Sequence, residues 1–556
     1  MLIISGGTWF SYRYFYDEIY DSKLYFVLVI SLLFFLCCSL FPKGFLSLRQ
    51  GMCSQWFGTG VSLIGLALSV HGLLQYANII PSHTIFPITG AFENPAGYAA
   101  VQCSCLPFSL YLCLHHKVSW PIRTVAIISS LVIILTIVLS GSRCGILAAS
   151  VAGVVILALE TKAATCLRKQ KSILLAIVLF FIVGVFLLYK LRPTSADGRL
   201  LVWSVCWEMI KDKPIIGFGI NGFHANYMDY QADYMVAHPS SPYRMLADNI
   251  THPFNEYILL TVRFGIIGLA MALAVLVFLI KSLWKQDGPF RSVGIAMIGA
   301  SVVMCMFSYP YHYAVIWFMT LILVIGAIPI RYMTIGKAIR YEIACILFVS
   351  LLGTGCMLYQ NLKWAEMSRR CIAGQTERML PHYEKMVPWM KWNPLFLYNY
   401  AAELNYVERY KESLELTKEC MKVYNDYDVQ LLLADNLEHC GQSKQAITAY
   451  RHASDMIPSR FIPLESMMDL YQQTGDTINA RMLANEILSK PVKVPSPQVE
   501  EIRRKAKETV KGSRFKVIEL RTKNCRAVEE RQEGFGSPFF NVSLIIWGSK
   551  QVSLRN

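Results

Sequence analysis

Up to residue 359 the chain is a succession of apolar runs separated by short polar connections. A helix that crosses a bilayer needs about 20 apolar residues. Ten runs meet or approach that length: 24–41, 56–80, 95–116, 120–140, 144–160, 172–191, 257–280, 292–309, 312–330 and 341–359. They predict an all-α, polytopic membrane bundle of about ten transmembrane helices over residues 1–359. One connection, 192–256, is long. From 360 to 510 the chain becomes polar, which predicts a soluble domain after the membrane part. Residues 511–556 fit neither pattern and are expected to form a disordered tail.

Composition sharpens this picture. Charged residues make up 16% of the chain and hydrophobic ones 54%, with a mean hydropathy of +0.39. Soluble domains carry about a quarter charged residues, and the ten apolar spans exclude a soluble enzyme. The first apolar run continues past Leu24 without an A-x-A-like site, so no cleavable signal peptide is expected. The formal net charge of +15 follows from where Lys and Arg fall rather than from nucleic-acid binding, because no basic stretch is interleaved with aromatics. Lys43, Arg49, Lys117, Arg123, Lys162, Arg168, Lys169, Lys171, Lys281, Lys285, Arg291, Arg331, Lys337 and Arg340 lie in alternate connections. The intervening short connections hold only Arg143. Basic loops face the cytoplasm. The 192–256 loop and everything after 360 are therefore expected outside it. The 16 cysteines are mostly single and sit in apolar runs, where Cys packs as a small hydrophobe. No metal site and no cofactor are expected.

The soluble part repeats itself. "ERYKESLELTKECMKVYN", "GQSKQAITAYRHASDMIP" and "GDTINARMLANEILSKP" align on Ser413, Ala446 and Ala480, spaced 33 and 34 residues apart. Small residues there, Gly441 and Gly475 five residues earlier, and Asn425 or a Pro about twelve residues later resemble tetratricopeptide repeats. Stacked helix pairs of that kind present a concave surface for a protein partner.

Four stretches on the non-cytoplasmic side carry candidate chemistry. "TGAFENPAGY" offers Asn94 before Pro95, which also reads as an ordinary helix start. "LSGSRCG" places Arg143 beside an apolar run, where it either snorkels to the headgroups or binds phosphate through its planar fork. "GRLLVWSVCWEMIKDKPIIGFGINGF" opens on Arg199. Its Leu200, Trp203, Trp207 and Ile210 predict a helix lying on the membrane surface. Gly217, Gly219 and Gly222 then predict a tight loop whose amides approach an anion. "THPFNEY" holds His252, which exchanges protons near neutral pH, with Asn255 and Glu256 following. That stretch also reads as a helix cap with an acid at the helix's positive end.

Read in order, these residues resemble the O-antigen ligase and O-antigen polymerase superfamily. The likeness rests on Gly90, Phe92, Asn94 and Pro95, then Ser140-Gly141-Ser142-Arg143. Arg199, Trp203, Asp212, Pro214, Gly217, Gly219 and Phe223 follow, and His252, Asn255, Gly265 and Gly268 complete it. It covers about residues 56–330. Phe254 stands where many members carry a second His, and Arg263 where many carry an acid. The resemblance implies a GT-C-like membrane fold. It implies a glycosyltransferase of lipopolysaccharide biosynthesis whose donor is a glycan on undecaprenyl pyrophosphate. It further implies that Arg143 and Arg199 stabilise the leaving pyrophosphate, with Arg244 and Arg263 as further contacts. His252 would act as base on the acceptor hydroxyl or orient it, supported by Asn255 and Glu256, and Asn94 would contact substrate.

Within the superfamily three acceptors compete: a lipid A-core (ligase, the reading preferred), another lipid-linked repeat (polymerase), and a protein (O-oligosaccharyltransferase). From other classes, a transporter should show matching broken helices in two halves, and none is found. A non-catalytic scaffold carrying the repeats as a docking module is the remaining reading.

Overall fold

The computed structural model describes residues 28–33, 36, 50–52, 54–82, 84–161, 193–286, 288–328 and 337–511. The expected span at 172–191, most of that at 24–41 and all but one residue of the tail lie outside them. So do Lys43, Arg49, Lys162, Arg168, Lys169, Lys171 and Arg331.

Every described element is helical. Those in the apolar part are α1 (Gln55–Tyr76), α2 (Pro95–Leu114), α3 (Trp120–Leu139), α4 (Arg143–Glu160), α5 (Pro193–Asp212), α6 (Gly222–Ala237), α7 (Glu256–Trp284), α8 (Pro289–Phe307), α9 (Ala314–Ala327) and α10 (Lys337–Arg370). Among the described residues seven helices are long and apolar enough to cross a membrane: α1 to α4, α7, α8, and the run from Ala338 through α10 to Met390. The span expected at 312–330 is shorter than predicted. A 3₁₀ turn, Pro310–His312, takes its first residue, and α9 has 14 residues. The last helix outruns its prediction, since nothing between 359 and Arg370 breaks a helix; the turn comes at Gly374, with φ +80°.

Contacts divide the chain into two units. The first takes residues up to 193, 252–261 and 266–365. Its centre is α2, which touches α1, α3, α4, α8 and α9. Several polar groups inside this apolar bundle are bonded to each other, which is favoured where water is absent. Gln102 donates to Ser69 Oγ (2.9 Å) and to Gly65 O (3.2 Å), and Thr136 donates to the same Ser69. Cys103 and Cys105 are free and buried, as packing residues should be.

The second unit takes 194–251, 262–265 and the chain from 366 on. After α11 (Thr376–Met390) come α12 (Pro394–Tyr406), α13 (Tyr410–Met421), α14 (Tyr427–His439), α15 (Ser443–Met456), α16 (Ile462–Gln473), α17 (Thr477–Ser489) and α18 (Pro497–Lys511). Each packs on the next. Ser413, Ala446 and Ala480 are all fully buried, each at the fourth position of its helix. Gly441 and Gly475 turn the chain with φ of +77° and +80°. At the matching place in the first copy, Glu408 adopts the same left-handed backbone at φ +64°.

The 194–251 loop is folded against these helices. α6 packs on α15. Gln231 donates to Met456 O at 2.7 Å, His452 meets Asp229 at 2.8 Å, and Asn425 donates to Asp229 at 2.9 Å.

The predicted helix over 200–210 is present as α5, but its buried face is Leu201, Val202, Val205, Cys206 and Met209. Leu200 and Trp207 are exposed instead, so α5 is apolar on two sides and periodicity alone picked the outer one.

Candidate functional site

In the first unit the "ENP" and "THPFNEY" stretches converge. Asn94 caps α2, its Oδ1 accepting from Gly97 N at 2.7 Å, with Pro95 at the first helical position. That is the helix-start reading, but the other end of the amide has a further job. Its Nδ2 donates to Tyr309 Oη (2.6 Å) and Tyr313 Oη (3.1 Å). Glu93 Oε1 then accepts from Tyr309 (3.1 Å), from Tyr313 (3.3 Å) and from Asn94 (3.4 Å).

The Tyr309 ring is stacked on His252, with centroids 4.6 Å apart and planes 18° apart. Stacking fixes the imidazole plane, and the two ring nitrogens lie in that plane. His312 approaches the same imidazole edge-on at 5.0 Å. Phe254 packs against Tyr309 at 5.7 Å and holds φ +53°, a strained backbone that turns the chain between His252 and the helix.

Asn255 and Glu256 act as caps. Asn255 accepts from Tyr257 N and Ile258 N at 2.9 and 3.0 Å and donates to Met306 O at 3.1 Å. Glu256, in the first turn of α7, accepts from Tyr311 N at 3.2 Å. Both therefore anchor α7 to the Met306–Tyr311 segment that carries Tyr309. Arg143 is the first residue of α4 and half-buried, behind Ser142, whose hydroxyl accepts from Gly145 N at 3.2 Å.

The remaining predicted residues lie in the second unit. Arg199 is half-buried in the first half of α5. Arg244 donates to Met235 O at 3.2 Å, satisfying a carbonyl in the last turn of α6 where a cation also complements the helix dipole. Arg263 is half-buried in α7, its Nη2 3.5 Å from His224 Nε2.

The glycine loop does something other than expected. Gly217 and Gly219 take φ of +67° and +86°. Phe218 N donates to Val262 O at 2.9 Å and Gly219 N to Arg263 O at 2.8 Å. Those amides are occupied by backbone carbonyls rather than offered to an anion. The carbonyls are free because α7 is broken at Gly265 (φ 62°, ψ −165°).

Four site residues escaped the sequence reading: Glu93, Tyr309, His312 and Tyr313. Glu93 was in view inside "TGAFENPAGY", but nothing local marks it as the acceptor for two tyrosines more than two hundred residues away. "YPYHY" at 309–313 was a signal that was there to be read, since four aromatic rings within five residues are not needed for a turn. Among the described residues no three His, Cys, Asp or Glu side chains gather as a metal site.

No curated protein matches the chain. Its residues 128–273 match the family model described as O-Antigen ligase, and that match supports the superfamily which the four motifs resemble.

Proposed function

We propose that the protein is a membrane glycosyltransferase of the O-antigen ligase type, moving a glycan from undecaprenyl pyrophosphate to an acceptor at the periplasmic face. One observation carries this reading beyond the family match. Asn94 and His252, from two separate motifs, are held by the same residue, Tyr309. In the proposed reaction an acceptor hydroxyl oxygen bonds to the anomeric carbon of the donor sugar. The bond from that carbon to the pyrophosphate oxygen breaks, and the lipid pyrophosphate leaves with the electron pair. His252 takes the hydroxyl proton, and arginine forks meet the growing charge on the leaving group. Glu93, steadied by Asn94 and the two tyrosines, is placed to accept hydrogen bonds from a sugar or acceptor hydroxyl.

The test is complementation of a deletion strain with wild type or His252→Ala. Lipid A-core, lipid-linked polymer and glycoprotein fractions are resolved on one gel. Wild type should restore one fraction, which distinguishes ligase from polymerase and from protein glycosyltransferase, and His252→Ala should not. Equal restoration by both would leave "THPFNEY" as a cap alone. Arg143→Ala and Arg199→Ala should each abolish transfer while the protein still inserts, and Lys at either position should rescue poorly because the bidentate geometry is lost. The repeats, on this reading, dock an acceptor or an assembly partner. Reporter fusions at residues 165 and 400 should read cytoplasmic and periplasmic.

A further inference from the structure

We propose that the loop from Pro214 to Ile220 is immersed in the apolar layer of the bilayer, with Ile215, Ile216 and Ile220 in contact with lipid acyl chains. The inference concerns where the loop lies and does not depend on the reaction assigned above.

The first ground is what the loop is attached to. It sits on the backbone of α7, one of the helices long and apolar enough to cross a membrane. Phe218 N and Gly219 N pair with Val262 O and Arg263 O. The approach is backbone against backbone. A Cβ at Gly217 would come within 2.5 Å of Arg263 C, and one at Gly265 within 2.0 Å of Ile215 O. No side chain lies between loop and helix, so the loop shares the depth of the break.

The second ground is that depth. Lys281 and Lys285 mark the far end of α7 as one interface. From Lys281 back to Gly265 the helix rises about 24 Å. The hydrocarbon layer is about 30 Å thick. The break therefore falls inside that layer, several ångströms short of its outer boundary. Irregular backbone at such depth survives only where protein satisfies its polar groups. That condition is met here: the two carbonyls released by the break are taken by the two loop amides.

The third ground is what the loop turns outward. Ile215, Ile216 and Ile220 are 61%, 72% and 69% exposed, and Ile266 and Ile267 beyond the break are 55% and 48% exposed. A soluble loop of this length rarely shows three bare isoleucines, since leaving each one in water forgoes about 1.5–3 kcal/mol. The order along the chain also fits an entry from the surface. Trp207, 58% exposed, comes first, then the exposed Lys211 and Lys213, then the isoleucines. Aromatic rings and snorkelling lysines belong at the headgroup level, with aliphatic side chains beneath them.

The measurement is fluorescence depth. A genetically encoded environment-sensitive fluorescent residue is placed at 216, at 220 or, as a surface control, at 240 in the full chain. Each protein is reconstituted in phosphatidylcholine vesicles. Acyl-brominated lipid should quench positions 216 and 220 severalfold more strongly than position 240, while aqueous iodide should quench only 240. Quenching of 216 and 220 by iodide and not by brominated lipid would place the loop in water and overturn the proposal. Protection from both quenchers would show that protein covers the isoleucines, and would overturn it equally. Using two loop positions guards against a label that disturbs one of them, since a misfolded variant would differ from its neighbour in both assays.

Discussion

Tyr309 is the residue on which the candidate site turns, because it offers its ring and its hydroxyl to different partners. The ring stacks on His252, and the hydroxyl joins Asn94 and Glu93. Tyr309→Phe should keep the imidazole in place yet lower glycan transfer, whereas Tyr309→Ala should abolish it. Transfer rates with matched protein levels check both; equal activity of Phe and wild type would remove the hydroxyl from the mechanism. A second prediction concerns Glu408. Its φ of +64° sits where the other two repeats place Gly441 and Gly475. Left-handed backbone is costly for any residue with a Cβ, so Glu408→Gly should stabilise the second unit by about 1 kcal/mol. Thermal unfolding of the full chain in detergent should show a midpoint about 2–4 °C higher. Sequence showed the left-handed position in two repeats, through glycine, and hid it in the third. It likewise showed Asn94 and His252 but not Glu93 or Tyr309. A motif is visible through residues that local geometry demands, while partners chosen across the fold carry no local mark.

At the scale of elements, the break in α7 is the feature that apolar periodicity could not reveal. Residues 257–280 read as one uninterrupted span, and Gly265 in it looks like any packing glycine. The break exists because a second segment supplies donors for the released carbonyls, and that segment lies some forty residues upstream. Gly265→Ala should undo the pairing, since its Cβ would meet Ile215 O at 2.0 Å. The expected outcome is an undocked loop, read as faster trypsin cleavage after Lys211 in the purified protein, with the wild type as reference. Unchanged cleavage would mean that the loop is held by other contacts. α5 teaches a related lesson. A helix with two apolar sides gives a period that is real but ambiguous, and burial chose Leu201, Val205 and Met209 over the stripe through Trp207. The helices themselves were legible to within a few residues wherever a cap residue and a Pro marked the start, as at Asn94 and Pro95.

For the molecule as a whole, the two units meet different needs. The first buries small and apolar side chains around α2, and the second assembles a loop and a helical stack that are far apart in sequence. One tie in that assembly is sensitive to acid and base. The hydrogen bond that His452 donates to the Asp229 carboxylate raises the pKa of His452 above its ordinary 6.5. A group whose pKa is higher folded than unfolded stabilises the fold fully below the unfolded value and loses that contribution as pH rises through the folded one. The second unit should therefore be less stable on the alkaline side of 6.5, and His452→Gln should flatten that slope in thermal unfolding measured across pH. A slope that survives the substitution would assign it to other groups.

The division of the second unit has a consequence in time. α6 ends at Ala237, and α15, on which it packs, begins at Ser443. A ribosome adding about 5–20 residues per second needs roughly 10–40 s to travel between them. Throughout that interval the buried face of α6, with Phe223, Tyr227 and Met235, has been made but lacks the helix α15 that packs on it. Newborn chains are therefore at their most vulnerable to proteases and to one another before the repeats emerge. A cell that makes this protein must shield the unfinished loop, by a chaperone or by the membrane itself, until the repeats have been made.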